Sequence, residues 1–472
     1  MSASNCLRCL VRPSAVALVP RQMLQAGGGT LTFTANASFK AAGASASQGG
    51  RNSPANRPMK LRFRKVKKKG VASHQGKPPA PGERKAYRKK IVLSNNNALP
   101  VPGLENLRPA DLSKQDNVGT IKALPEDVVD ALRAMEAFKP TQCWGIFRQP
   151  AMLVRQETVD LVNKMKAAEK GRKMIRVVIE GNRITGKSMM LLQAMTHAFM
   201  NDWVVLHIPE AQELTTAVTE YAPIESSPLW TQPTYTLKLL QAFKRANEKV
   251  LSRMNTVYSH ADLPQIIPIN SPLLQLINSA KEADGAWAVF QALWRELNAE
   301  NAGRPPILFS LDGLAHIMKV SDYRDPAFKL IHSHDLTLVK LFTDILSGNQ
   351  VMPNGGAVLA ATTRGNSPRS ASMELAIAQR EAEKAKAEVV PQRDPYSKKY
   401  DDRVESVMKS VDILRLKGVE AKAEARGLLE YWAASGVLKK RVDEQIVSEK
   451  WTLSGNGVVG EMERATLLTM KA

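Results

Sequence analysis

The feature that most constrains this chain is a loop bounded by two glycines. Gly181 is followed, after four residues, by Gly186-Lys187-Ser188, which is the spacing of a phosphate-binding loop. The residues ahead of it, 174–179, are rich in β-branched side chains, as in a strand buried on both faces. The residues after it return to apolar side chains at helical spacing. The pattern therefore predicts a loop between a strand end and a helix N-terminus, where unpaired backbone N–H groups and the helix dipole favour phosphate.

Two side chains of this loop carry the expected chemistry. Lys187 is predicted to reach the β and γ phosphates, and the Ser188 hydroxyl to hold Mg²⁺. A chance match to the motif is the alternative, and the flanking strand and helix patterns argue against it. The full set of residues predicted to bind a nucleotide is Gly181, Asn182, Arg183, Ile184, Thr185, Gly186, Lys187, Ser188, Met189 and Thr362.

Three more apolar runs, 203–209, 307–312 and 356–364, predict further strands of a parallel sheet. The middle run ends in Asp312, whose carboxylate is predicted to support Mg²⁺ together with Ser188, at the carboxyl edge of the sheet. Gly313 follows, where ring-forming ATPases usually carry a glutamate that activates water. Since loss of such a base costs a factor of about 10² to 10⁴ in rate, little or no hydrolysis is expected.

Other polar residues near the strand ends leave alternatives open. Thr362 or Thr363 can bond the γ-phosphate or an attacking water, although threonine is also a good strand former. Arg364 is either a phosphate-reading cation or a solvated turn residue. Arg148 and Gln149, ahead of the loop strand, are candidates for a base pocket, with an ordinary packing role as the alternative.

Positive charge is concentrated at the N-terminus. Residues 1–100 carry 19 Lys or Arg and one acid, so they contribute +18 of the net +21, and the other 372 residues contribute 47 − 44 = +3. Residues 1–50 contain arginines, many small residues and no acid, which is typical of a mitochondrial transit peptide. A secretory signal fits less well, and a disordered tail is the other alternative. The chain has no apolar run long enough for a transmembrane helix.

Residues 51–105 form a basic arm, with blocks such as RPMKLRFRKVKKKG separated by Pro and Gly. Such a segment buries too little apolar surface to fold alone and is attracted to a polyanion. Phe63 and Tyr87 can stack on exposed bases. RNA is therefore the favoured partner, with a solvated tail or an electrostatic hold on anionic lipid as alternatives.

Several segments together resemble a family of mitochondrial small-subunit ribosomal proteins, the death-associated protein three family. They are EGNRITGKSMMLL, DWVVLHIPEA, QPTYTLKLLQAFKRANEKVL, FSLDGL, GGAVLAATTRG and EYWAASGVL. The resemblance covers residues 140–465. The chain departs from the family pattern at Asn182, Arg183 and Ile184, which leaves the base preference of the nucleotide site open. It implies a bound purine nucleotide, GTP or ATP, with Mg²⁺. It also implies the mitochondrial matrix, with small-subunit rRNA and ribosomal proteins as partners, and leaves contacts with the large subunit open.

The expected fold is therefore α/β, a P-loop NTPase (AAA-like) parallel sheet with helices on both faces and a small C-terminal helical or winged-helix-like lid. The expected domains are a transit peptide and disordered segment (1–50), the basic arm (51–105), a nucleotide-binding domain (106–370), a charged helical connector (371–402) and the lid (403–472). The connector is expected to be an exposed or partner-contacting helix, or disordered, because charged residues would lie on nearly every side of such a helix.

Three functions are compatible with these features. The first is a structural ribosomal protein that retains a nucleotide and is at most a slow GTPase or ATPase. The second is an active mitochondrial P-loop NTPase that acts as a switch or an AAA-type remodeller. The third is a membrane-associated apoptotic adaptor, which the family's second name suggests but no motif supports. The first is preferred, because neither a catalytic base nor an arginine finger is evident.

Overall fold

Strands and helices alternate along much of the chain that the computed structural model describes, residues 91–225, 227–300, 302–365, 367–397 and 399–467. The predicted transit peptide and most of the predicted basic arm lie outside the described residues. The strands are β1 (Ile121–Ala123), β2 (Ala151–Leu153), β3 (Met174–Gly181), β4 (Val204–Ile208), β5 (Ala222–Ile224), β6 (Ser227–Thr231), β7 (Ile307–Asp312), β8 (Val320–Arg324), β9 (Leu330–His332), β10 (Gly356–Ala361) and β11 (Asp412–Leu416).

The helices come next in chain order. They are α1 (Glu126–Ala134), α2 (Gln156–Gly171), α3 (Lys187–Met200), α4 (Gln212–Thr215), α5 (Pro233–Ala246), α6 (Glu248–Leu251), α7 (Leu273–Asn278), α8 (Ala286–Leu297), α9 (Thr337–Ser347), α10 (Ala371–Lys384), α11 (Asp402–Met408), α12 (Lys422–Ala434), α13 (Glu444–Leu453) and α14 (Val459–Leu467). Short 3₁₀ turns occur at Asp111–Ser113, Gln115–Asn117, Trp144–Ile146, Leu314–His316 and Ser333–Asp335.

A five-stranded parallel sheet with the spatial order β11-β3-β10-β7-β4 forms the centre of this part of the chain. Strand β10 lies between β3 and β7, and its last residue, Ala361, is level with Ile179 of β3 and with Asp312 of β7. Strands β4, β7 and β10 are buried along their whole length, as their continuous apolar runs predict. The register brings the loop after β3 and the carboxylate at the end of β7 to the same edge of the sheet.

Helices flank this sheet. Helix α2 packs against β3 and β10, and α3 packs against β3, β10, β7 and β4. Helix α8 buries Phe290 and Trp294, so its aromatic side chains are part of the core. The predicted α/β class and the parallel sheet are confirmed. None of the helices in the described residues combines the length and apolar composition needed to span a bilayer.

Two elements near the C-terminus differ from the sequence expectation. Helix α10, predicted to be an exposed or partner-contacting helix or a disordered connector, buries Met373, Ala376 and Ile377 in the main core and packs against β11. Strand β11 was expected to belong to the lid, but it pairs in parallel with β3 and buries Ile413 and Leu416 in the main core. The sheet therefore extends beyond residue 403, the expected start of the lid.

Residues 418–467, here called the C-terminal module, contain a separate apolar cluster. It includes Val419, Leu429, Trp432, Val447 and Met462. Helix α12 of this module packs against the antiparallel pair β1 and β2. The described part of the module is helical, without a strand that would form a wing. The helical alternative is therefore the one observed.

Candidate nucleotide-binding site

The phosphate loop, residues 181–188, leaves the end of β3 and enters the first turn of α3, as the sequence predicts. A side chain at Gly181 would place its Cβ 2.4 Å from the carbonyl oxygen of Leu416 on β11, so only glycine fits between the two strands. Gly186 has a φ of +98° and precedes α3 directly, a conformation that glycine adopts without strain. The loop therefore presents its backbone N–H groups at a helix N-terminus, where an anion is stabilised.

Lys187 is almost completely buried beneath this loop. Its ammonium donates to the carbonyl oxygens of Gly181, at 2.8 Å, and Asn182, at 2.5 Å. Since an ammonium has three N–H donors, one remains for a phosphate oxygen. Burial lowers the pKa of Lys187 to about 8, although the charges of Glu180 and Asp312 act in the opposite direction. A bound triphosphate would raise this pKa again and favour the charged form.

Ser188 and Asp312, the two predicted magnesium ligands, are in direct contact. The Ser188 hydroxyl donates to Oδ2 of Asp312 at 2.6 Å. The same carboxylate oxygen forms an ion pair with the ammonium of Lys139. Burial acts to raise the pKa of Asp312, but the charge and hydrogen bond of Lys139 and the bond from Ser188 outweigh it, and the pKa lies below its ordinary value. Asp312 is therefore an anion despite its burial.

This pair fits Mg²⁺ bound together with phosphate. Within the described residues, no group of three or more His, Cys, Asp or Glu side chains could hold a metal ion by itself. Mg²⁺ does not require such a group, because it keeps several waters and takes one or two protein oxygens plus phosphate oxygens. Ser188 would supply one oxygen, and Asp312 a carboxylate beside it.

Thr362 lies directly after β10 and is buried. Its hydroxyl donates to Oε2 of Glu180, the residue before Gly181. Arg364 donates to the other carboxylate oxygen of Glu180, at 2.7 and 2.9 Å, and to Glu374 at 2.8 Å. From the sequence, Arg364 was either a phosphate-reading cation or a solvated turn residue. In the structure it is held by ion pairs with Glu180 and Glu374. The Thr362 hydroxyl belongs to the same network through its hydrogen bond to Glu180. A contact between Thr362 and a nucleotide stays a prediction.

The remaining predicted loop residues differ in exposure. Asn182 and Arg183 are exposed, whereas Thr185 is fully buried and donates from its hydroxyl to the carbonyl of Asn182 at 3.0 Å. Met189 is half-buried, and its sulfur accepts from Nε2 of Gln142 at 3.2 Å.

Ile184 has a φ of +56°, which is a strained conformation for a β-branched residue and requires support from its surroundings. That support comes from the C-terminal module, where the backbone N–H of Gly460 donates to the carbonyl of Ile184 at 3.1 Å. Arg155, buried ahead of α2, makes a second link. It donates to the carbonyls of Thr185, at 2.9 Å, and Gly418, at 2.6 Å. The loop is therefore tied to the C-terminal module from two sides.

A family model described as mitochondrial ribosomal death-associated protein 3 matches residues 152–465. The chain belongs to this family. It is 86% identical to the small ribosomal subunit protein mS29 of Neurospora crassa over the full length of both chains. The mS29 protein of Schizosaccharomyces pombe is 24% identical, over 75% of this chain and 73% of its own. The mouse mS29 protein is 22% identical, over 46% of this chain and 56% of its own.

The predicted family and the predicted mitochondrial localisation are confirmed by these matches. The matched range contains the phosphate loop, Asp312, Arg155 and nearly all of the C-terminal module. Lys139 lies ahead of it. The family therefore shares the segment that forms the loop, while the cation that pairs with Asp312 comes from the preceding segment of the chain.

Three residues around the site were missed from the sequence. Glu180 carries a charge at the end of an apolar strand, and this was a visible signal that a partner must be buried beside it. Arg155 and Lys139 gave no such signal, because each lies outside the apolar runs that predicted the strands of the sheet. The candidate base-pocket residue Arg148 is exposed and donates to the carbonyl of Asn96 at 3.1 Å, a contact that does not involve the loop.

Proposed function

We propose that this chain is a structural component of the small subunit of the mitochondrial ribosome that retains a purine nucleoside triphosphate, GTP or ATP, with Mg²⁺. Its partners are small-subunit rRNA and ribosomal proteins in the mitochondrial matrix. The family membership supports the ribosomal assignment, because the full-length relative in Neurospora crassa carries the name of a small ribosomal subunit protein. The strand order and the loop between β3 and α3 support an AAA-like P-loop NTPase fold.

The observation that carries the nucleotide part is the convergence of Lys187, Ser188 and Asp312 at one edge of the sheet. A buried ammonium, a hydroxyl and a carboxylate placed at a helix N-terminus match the needs of a triphosphate with its metal ion. A ligand that binds only the native state stabilises it by RT ln(1 + [L]/Kd), about 4 kcal/mol at a thousandfold excess over Kd. The nucleotide would thus act as part of the folded structure.

The residues at this edge of the sheet favour retention of the nucleotide over its hydrolysis. Gly313 follows Asp312 and offers no side chain that could accept a proton. Glu180, which lies beside the loop, already accepts from Thr362 and Arg364, so its carboxylate is held by these two partners. We therefore expect hydrolysis that is slow or absent.

Nucleotide extracted from purified mitochondrial small subunits tests this function. We expect about one purine nucleotide per copy of this protein, and we expect it to be an intact triphosphate when it is separated by ion-exchange chromatography. The free protein, incubated with radiolabelled GTP or ATP, is expected to complete less than one turnover in the time of the assay. Rapid multiple turnover would instead favour the alternative function, an active NTPase.

The basic arm, residues 51–105, is proposed to contact rRNA, because its dense positive charge suits a phosphate backbone. Deletion of residues 51–90, which keeps the buried Leu93 in place, behind a replacement targeting sequence is expected to weaken RNA binding in a filter assay and to reduce its salt dependence. Nucleotide affinity should stay unchanged, since the phosphate loop lies outside the deletion. Unchanged RNA binding by the shortened chain would argue against a role of the arm in RNA contact.

A further inference from the structure

Lys139 lies in a turn that is anchored beside the phosphate loop. Phe138 and Trp144 are buried on either side of it, with ring centroids 5.3 Å apart in an edge-to-face arrangement. Gln142 accepts from the backbone N–H of Lys139 at 2.9 Å and from the indole of Trp144 at 2.7 Å. Its amide nitrogen donates to Met189 in the first turn of α3. The backbone of Lys139 is therefore fixed relative to the helix that begins at the loop.

The Lys139 side chain is directed to the predicted magnesium site. Its ammonium pairs with Oδ2 of Asp312, the oxygen that also accepts from Ser188. The Asp312 side chain is 4% exposed and that of Lys139 is 26% exposed. A carboxylate buried to this extent is strongly destabilising without a cation. Lysine is a compact point charge on a flexible stem, so it can stabilise the carboxylate and still move away.

We propose that Lys139 is a built-in cation at the magnesium position, which pairs with Asp312 when the ion is absent and releases it when Mg²⁺ enters. This inference rests on the proposed nucleotide site and concerns its cation requirement. In a phosphate loop without such a lysine, removal of Mg²⁺ leaves the triphosphate and the buried carboxylate facing each other without a cation. In this chain Lys139 pairs with the carboxylate and compensates its charge, so the nucleotide is expected to stay bound after Mg²⁺ is removed.

The test is the affinity for a fluorescent GTP analogue, measured in excess Mg²⁺ and in excess EDTA. For the unmodified chain we expect the two dissociation constants to differ by less than about tenfold. For Lys139→Met we expect a loss of about 100-fold on chelation, because the repulsion between close like charges is then uncompensated. Lys139→Arg keeps the charge and should behave like the unmodified chain.

A matched control is Lys122→Met. Lys122 is also a largely buried lysine in an ion pair, with Glu105 at 2.7 Å, but its partner belongs to the segment ahead of β1 and not to the loop. This variant should keep the weak dependence on Mg²⁺. Circular dichroism establishes that each variant is folded before its affinity is compared.

A second readout needs no nucleotide. Mn²⁺ added to the nucleotide-free protein can be followed by electron paramagnetic resonance, and Lys139→Met should bind it at least about tenfold more tightly than the unmodified chain, because no ammonium competes for Asp312. Equal Mn²⁺ affinity in the two proteins would overturn the proposal.

The unmodified chain already provides a decisive outcome, whichever variants fold. A loss of nucleotide affinity of about 100-fold on chelation would overturn the role of Lys139 while leaving the nucleotide site itself supported. Absence of nucleotide binding in both conditions would overturn the proposed function and this inference together. The two failures are therefore distinguishable.

Discussion

Replacement of Lys187 with alanine is expected to lower the affinity for GTP or ATP by about 100-fold or more, because hydrogen bonds to charged groups contribute about 1.5–3 kcal/mol each. The ammonium also bonds the carbonyls of Gly181 and Asn182, so the variant loses a contact that shapes the loop as well as the phosphate contact. The measurements are the nucleotide content of the purified protein and its sedimentation with small ribosomal subunits. Both are expected to fall.

Lys166→Ala provides the control for this variant. Lys166 lies on α2 and donates to the Ser113 hydroxyl at 2.6 Å, so its removal deletes a lysine with a single polar contact outside the phosphate loop. Nucleotide content and assembly should stay unchanged in the control. If the Lys187 variant retained both as well, the loop would not hold the nucleotide in the proposed way.

The elements that could be predicted from the sequence are those whose pattern is local. The strand 174–179, the glycine spacing and the following helix form one continuous segment, and the apolar run that ends in Asp312 has the length and composition of a fully buried strand. Parallel strands align their carboxyl ends, so the approach of Asp312 to the phosphate loop also followed from the sequence.

Strand β11 could not be predicted in the same way. It has the sequence Asp-Ile-Leu-Arg-Leu, in which only Ile413 and Leu416 are buried, and it lies at the edge of the sheet, where few side chains are covered. The buried face of helix α10 could not be recognised from the sequence because the helix carries many charged residues. Two of them, Arg380 and Lys384, donate hydrogen bonds to the carbonyls of Val411 and Ile413. Strand β11 belongs to the core through its pairing with β3, and helix α10 packs on β11.

The ion pairs of the site depend on contacts between distant parts of the chain. Arg155 and Gly418 are 263 residues apart in the sequence, and Lys139 and Asp312, which form an ion pair, are 173 residues apart. Neither hydrophobic periodicity nor a sequence motif identifies such a pair. A buried charge indicates that a partner exists, but the order of the strands decides which residue it is.

Arg155 links the phosphate loop to the C-terminal module, and its replacement with methionine is expected to lower the free energy of unfolding by about 3 kcal/mol, since each buried acceptor left without a donor costs about 1–3 kcal/mol. The carbonyls of Thr185 and Gly418 both lose their donor. Methionine retains much of the apolar stem, so the loss of packing is small. Urea unfolding followed by tryptophan fluorescence measures the change.

The charges around Arg155 increase this effect. Arg155 pairs with Glu157 at 2.7 Å. Burial raises the pKa of the nearby Glu424 carboxyl, the charge of Glu157 raises it further, and Arg155 acts to lower it. Without Arg155 the charge of Glu157 acts on Glu424 with no opposing effect from this arginine. The pKa of Glu424 should therefore rise further, and part of the lost stability should return as the pH is lowered and the carboxyl is protonated.

The same variant is expected to bind nucleotide at least about tenfold more weakly, because a loop that must be ordered by its ligand uses part of the binding energy for that ordering. Arg148→Met is the matched control, since Arg148 is an exposed arginine with one carbonyl contact. It should change the free energy of unfolding by less than about 0.5 kcal/mol. If the Arg155 variant were destabilised but bound nucleotide as tightly as the unmodified chain, the C-terminal module would support the fold without shaping the loop.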